Sequence, residues 1–178
     1  MTAMQSVDLD AILNATGDFS KLTPSGAGQY IQPGDYLFEI SSIEIKNGYK
    51  GTSFIGNNTI KLIVQTDEEG LTPGATRNIV ENLTGPNKGI ALANMKAYLL
   101  AGCESLFQRK IPNEGVNPKF VARLLSADQP LKGVFVWCNA FTKPKQNGKG
   151  NVTVKNWKMA TNEELAAHGL AQPANRAT

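Results

Sequence analysis

LKGVFVWCNAFTKPKQNGKGNVTVKNWKM, residues 131–159, reads as two β-rich runs around a polar loop with Asn147-Gly148 near its centre. That pattern is the signature of a β-hairpin. No aspartate or glutamate occurs between Gln129 and Asn162, while the same window holds six lysines: Lys132, Lys143, Lys145, Lys149, Lys155 and Lys158. Both tryptophans also fall here, Trp137 on the first arm and Trp157 on the second. Lysines neutralise phosphates and flat rings stack on unpaired bases. Basic charge interleaved with aromatics on a hairpin therefore suits a single-stranded nucleic-acid groove.

Register decides which side chains meet. Alternation puts Phe135, Trp137, Asn139, Phe141 and Lys143 on one face of the first arm, and Val134, Val136, Cys138 and Ala140 on the other. A loop with an odd number of residues, centred on Asn147, pairs position 137 with 157 and builds one aliphatic and one aromatic–lysine face. A two-residue Asn147-Gly148 turn shifts the register by one and mixes the faces. The odd register gives the cleaner amphipathic sheet and is the expectation. The plainer alternative makes Trp137 and Phe141 core residues and the lysines a solvated rim.

Outside this window the composition is ordinary. The chain has 178 residues, 41% hydrophobic and 19% charged, with a net charge of +3, enough for one domain with a core. All 15 acids lie outside the hairpin window, so the basic signal is local and suggests one face turned to a polyanion. Cys103 and Cys138 are far apart in apolar surroundings, which suggests two buried free thiols in a reducing compartment; one disulfide is the alternative. No apolar run reaches the length of a membrane span, and MTAMQSVDLD is not a signal peptide. The expected location is the cytoplasm, with no membrane partner.

Residues 6–15, SVDLDAILNA, suit a short amphipathic helix, and the polar, glycine-containing run to Gln32 suits a linker. Residues 1–32 thus read as an N-terminal arm, mobile or docking. Pro33-Gly34 opens a long strand, DYLFEISSIEIK (35–46). Its apolar positions change face midway, as a bulge or strong coiling produces. The next stretch, 47–58, reads as a loop with Tyr49, Lys50 and Phe54 near its tip; the two rings either pack back or stay exposed. Strands follow at 59–66 and 76–83, around an acidic turn that carries Asp67, Glu68 and Glu69. A helix is expected over 87–101, opened after Gly85-Pro86 and ended by Gly102, with Ile90, Ala93, Ala97 and Leu100 as its apolar stripe, widened by Tyr98 and Met95. Residues 119–127 form a second helix or a strand. After the hairpin, Thr161 and Glu164 suit a capping box for a short helix ending at Gly169, and the last residues look disordered.

Three strands, a helical insertion and a two-stranded hairpin give the order of an OB-fold. The fold class expected is mainly β with α+β content, a five-stranded OB-fold barrel with the helical insertion between strands three and four. It spans 33–160, with a short helix and flexible tail over 161–178. In that fold the loops after strands one and four flank the binding face, here 47–58 and 144–150. The expected nucleic-acid-binding residues are Tyr49, Lys50, Phe54, Trp137, Phe141, Lys143, Lys145, Lys149, Lys155, Trp157 and Lys158.

PGDYLFEISSIEIKNGYKG (33–51), GPNKGIALANMKAYL (85–99) and GVFVWCNAFTKPKQNGKGNVTVKNW (133–157) resemble the single-stranded-DNA-binding proteins of tailed bacteriophages, over roughly residues 33–160. The resemblance implies an OB-fold that coats single strands during phage DNA replication or recombination, in the cytoplasm of the bacterial host, with replication or recombination proteins as partners. Two departures stand out. The 85–130 insertion is long for the fold, and QPANRAT lacks the acidic tail by which many such proteins recruit partners.

Catalytic patterns are missing from the sequence. One histidine, His168, and two separated cysteines do not assemble a zinc site of usual composition. GPNKGIAL lacks P-loop spacing, and no GxSxG occurs. A non-enzyme without cofactor is therefore expected. The alternative to strand binding is a non-enzymatic β-barrel module, structural or protein-binding, of a phage particle or its assembly.

Overall fold

The computed structural model describes residues 8–15, 17–21, 27–28, 31–49 and 51–173. Lys50 and the outer parts of both termini lie outside the described residues. Tyr36, Phe38, Ile40, Ile43 and Ile45 are all buried, although simple alternation would send the last two to the other face. Their strand, β2 (Gly34–Gly48), resolves the conflict by register shifts against β3 (Gly51–Thr66). The shifts fall at Asp35/Tyr36, Leu37/Phe38 and Ile40/Ser42. The expected midway bulge is the last of these. It bends the strand so that both halves line one core.

Four more strands complete an antiparallel sheet: β1 (Ala27–Gly28), β4 (Ile79–Asn82), β5 (Phe135–Pro144) and β6 (Asn151–Met159). The order across the sheet is β1-β6-β5-β2-β3-β4. Helices are α1 (Leu9–Leu13), α2 (Lys88–Phe107), α3 (Pro118–Leu124) and α4 (Asn162–Ala166). The fold is thus mainly β, with some α+β content. Near opposite ends of the strand order, Glu81 of β4 and Lys155 of β6 are both buried and each shifts the other's ionisation. The sheet therefore curls into an open, barrel-like layer, with α2 packed on β4, β5 and β6.

Several boundaries differ from the sequence expectations, each for a packing reason. Most of the loop expected at 47–58 is strand, 47–48 and 51–58: Thr52, Phe54, Gly56, Asn58 and Ile60 are buried in strict alternation. Glycine and asparagine at two of these inward positions hide the strand signal. Helix α2 runs through Gly102, because the bare glycine lets Leu131 and Ile40 pack within 3.1 and 3.4 Å of where a Cβ would stand. It ends instead at Gln108, whose backbone is left-handed (φ 54°). Of the expected stripe, Ala93, Met95 and Tyr98 are buried and Leu100 packs against the core, together with buried Leu92 and Leu99, whereas Ile90 is exposed. Residues 118–124 are helical, with Asn117 accepting from Phe120 N–H as cap at 2.9 Å.

The described part of the N-terminal arm is docked. Leu13 and Phe19 belong to the main core, and Lys96 of α2 donates to the carbonyls of Phe19 and Ser20, both at 2.7 Å. At the other end, the Thr161–Glu164 capping box is present. The start of the tail is held rather than loose: the buried Gln172 side chain pairs with both backbone groups of Phe135 at 2.9 Å. Cys103 and Cys138 are free and buried; burial pushes the Cys103 thiol up to about 12.

Candidate nucleic-acid interface

The β5–β6 hairpin takes the other register. Trp137 pairs with Lys158, Cys138 with Trp157 and Ala140 with Lys155. The connection is neither the odd loop nor a two-residue turn. It spans 145–150, closed by Lys145 N–H to Gly150 O (3.0 Å) and Gly148 N–H to Lys145 O (3.0 Å). Gly148 and Gly150 supply the left-handed backbone it needs. The slip by one puts Trp157 and Lys155 on the inner face with Cys138 and Ala140.

The core explains why this register wins. Trp157 meets Tyr98 edge-on, ring centroids 4.8 Å apart, and Phe38 at 5.8 Å. Burying an indole against two rings favours the register by more than a tidier amphipathic hairpin would. One consequence is polar. Lys155 is only 2% exposed, and burial pulls its ammonium below its usual range, opposed by the Glu81 charge. Glu81 accepts from Asn94 Nδ2 at 3.2 Å, and burial pushes its carboxyl up to about 7.

The outer face carries Trp137, Asn139, Phe141 and Lys143 of β5 beside Lys158, Asn156, Val154 and Val152 of β6. β2 ends its pairing with β5 at Gly34↔Ala140. Past that point the hairpin projects beyond its neighbour, so every residue from Phe141 to Asn151 is exposed. Phe141 is 39% exposed, with Lys143, Lys145 and Lys149 following it and Lys158 further back. These residues the structure brings together.

Others it does not. Trp157 and Lys155 point inward, and Phe54 is fully buried, edge-on to Tyr98 at 5.9 Å. Tyr49 is 95% exposed just past the end of β2 opposite the hairpin, fifteen residues after Gly34. Lys50 is outside the described residues. Trp137 is half-buried against Leu37, Phe135, Ala160 and Leu165, under α4. Its indole N–H lies near the Glu164 carboxylate without making a hydrogen bond in ordinary geometry. Glu164 is held below the usual carboxylate range chiefly by the Thr161 N–H, with smaller help from Trp137 and Lys158.

Sequence reasoning also missed neighbours. Asp35 pairs with Asn139 across β2–β5 and accepts a hydrogen bond from its amide. Glu39 follows on the same face of β2, paired with Lys61 at 3.1 Å. An acid-free hairpin thus borders two carboxylates. No local signal near residue 139 announces them, because they arrive through strand pairing. In the acidic turn, Glu68 is paired with Arg77.

Among the described residues, no group of three or more histidine, cysteine, aspartate or glutamate side chains is placed to hold a metal ion. No helix among them is long and apolar enough to cross a membrane. No protein-family model matches the chain, and no curated protein matches it.

Proposed function

We propose that this protein binds single-stranded DNA, with little sequence preference, through the outer face and tip of the β5–β6 hairpin. The observation that carries the reading is the projecting, acid-free wing on which Phe141, Lys143, Lys145 and Lys149 are exposed together, with Lys158 behind them. Phe141 offers a flat ring to unpaired bases, with half-buried Trp137 behind it, and the lysines follow the phosphates. Stacking requires unpaired bases, so single strands are preferred over duplex.

The strand order supports the same reading. β6-β5-β2-β3-β4, with α2 between β4 and β5, matches the strand order expected of an OB-fold opened between its third and fifth strands, α2 being read as the insertion. On the resemblance to phage single-strand-binding proteins, the proposed activity serves phage DNA replication or recombination, in the host cytoplasm, as a binding protein rather than an enzyme. The test is fluorescence anisotropy of a labelled oligo-dT at several salt concentrations, with a duplex of equal length as control. About four lysines on phosphates give a log–log salt slope near −3 for a single strand. Duplex binding as tight as single-strand binding, or no salt-sensitive binding, overturns the proposal.

A second reading has its own support. Val64, Val80 and Ile90 are exposed apolar side chains outside the hairpin, and Asp35 and Glu39 border the basic face. Both suit a non-enzymatic barrel module that docks another protein, in a phage particle or its assembly. That reading expects no oligonucleotide binding by the same titration.

A further inference from the structure

The chain has two Asn-Gly pairs, Asn47-Gly48 and Asn147-Gly148, and the fold treats them in opposite ways. We infer that Asn147 is a site of spontaneous deamidation, while Asn47 is protected. A glycine after asparagine leaves its backbone nitrogen unshielded by a Cβ, so that nitrogen can approach the side-chain carbonyl carbon. In the reaction the Gly148 nitrogen loses its proton and bonds to Asn147 Cγ. The Cγ–Nδ2 bond breaks and ammonia leaves with that proton. Water then opens the resulting succinimide at either carbonyl, giving aspartate or isoaspartate.

Three features favour the reaction at Asn147. The Lys149 N–H donates to Asn147 Oδ1 at 2.9 Å, which steadies the oxygen that gains charge when Cγ is attacked. Lys145 and Lys149 flank the residue with positive charge. The loop is exposed throughout, and no atom would lie within 4 Å of a Cβ at Gly148. One contact opposes it, the Gly148 N–H bond to Lys145 O, but a single exposed turn bond opens at little cost.

Asn47 lacks this freedom. It pairs with Thr52, and Gly48 with Gly51, in the β2–β3 ladder. Thr52 Oγ1 donates to Asn47 Oδ1 at 3.0 Å, drawing the side chain across the strands rather than over Gly48. Attack there requires the ladder end to open first.

The product puts a carboxylate between Lys145 and Lys149, in a window that otherwise has no acid. On the single-strand reading, on which this consequence alone rests, the loop loses about one phosphate contact. That weakens binding roughly fivefold at 0.1 M salt.

The test is incubation of the intact protein at mildly alkaline pH, followed by peptide mass mapping. A chymotryptic peptide covering 142–157 should gain one dalton, localised to Asn147 by fragmentation, with isoaspartate present. The Asn47 peptide should convert about tenfold more slowly, the factor that each 1.4 kcal/mol of extra opening cost supplies. Equal rates at the two sites, or no mass gain at Asn147, overturn the inference. Asn147→Asp, made directly, tests the consequence: unchanged oligo-dT affinity removes it. Failure of the unmodified protein to bind any single strand overturns the proposed function and leaves the chemical site standing.

Discussion

The side chain of Tyr98 packs against the backbone of Gly56: a Cβ at that glycine would stand 2.8 to 2.9 Å from two ring carbons and the hydroxyl oxygen. The Tyr98 hydroxyl donates to Asn58 Oδ1 two residues along the same strand, and the ring meets Trp157 edge-on. Helix α2, strand β3 and the hairpin are thus joined through one side chain. Gly56→Ala should overpack this contact and cost about 1–3 kcal/mol. Urea denaturation checks it, and an unchanged midpoint would mean that the helix can move away freely.

Phe141 and Trp157 separate binding from stability. Trp157→Ala removes a ring wedged between Phe38 and Tyr98 and should lower stability by about 3 kcal/mol. Phe141→Ala, on the projecting wing, should leave the denaturation curve within about 0.5 kcal/mol. On the proposed function, it should weaken oligo-dT binding by about 1–3 kcal/mol. Equal stability losses in the two variants would contradict the observed register.

The pH dependence should carry the mark of Glu81. Its carboxyl is pushed up to about 7 when folded, against 4.5 for the free group. Between those values the folded state holds a proton that the unfolded state has released. Stability therefore falls as pH rises through this window, by at most about 3 kcal/mol. Glu81→Gln should flatten that slope. Lys155→Met removes the charge that favours ionised Glu81, so the slope should extend to higher pH. Denaturation midpoints across pH 4 to 8 read both effects.

Gln172 tests how the C-terminal segment is held. Its buried amide donates to Phe135 O and Ala160 O and accepts from Phe135 N–H, a substitute for a missing strand neighbour. Gln172→Ala leaves three buried backbone groups without that partner and should cost about 1–3 kcal/mol. Hydrogen exchange should rise at Phe135 N–H and in α4 while β2 and β3 stay protected. No change at Phe135 would mean that another group replaces the amide.

Much of this was legible from local pattern. The hairpin, the bulge in the first long strand, the capping box at Thr161–Glu164 and the exposed lysines of the loop depend on near neighbours in the chain. Alternation, turn chemistry and charge runs report such features directly. Strand β3 was not legible at its start. Gly56 and Asn58 look like loop residues until Tyr98 is seen filling the space over one and bonding the other.

A basic, acid-free hairpin near the end of a mainly β chain can be read directly from residues 131–159, because composition and strand period are local properties. Which way that hairpin faces depends on packing between distant parts of the chain. A slip of one residue turns every side chain over, and the contacts of Trp157 with Phe38 and Tyr98, fifty-nine or more residues away in the chain, selected the register. That selection buried Lys155 beside Glu81 and left Phe141 outside with Lys143. Strand pairing set Asp35 beside Asn139, a neighbour no reading of residues 131–159 could supply.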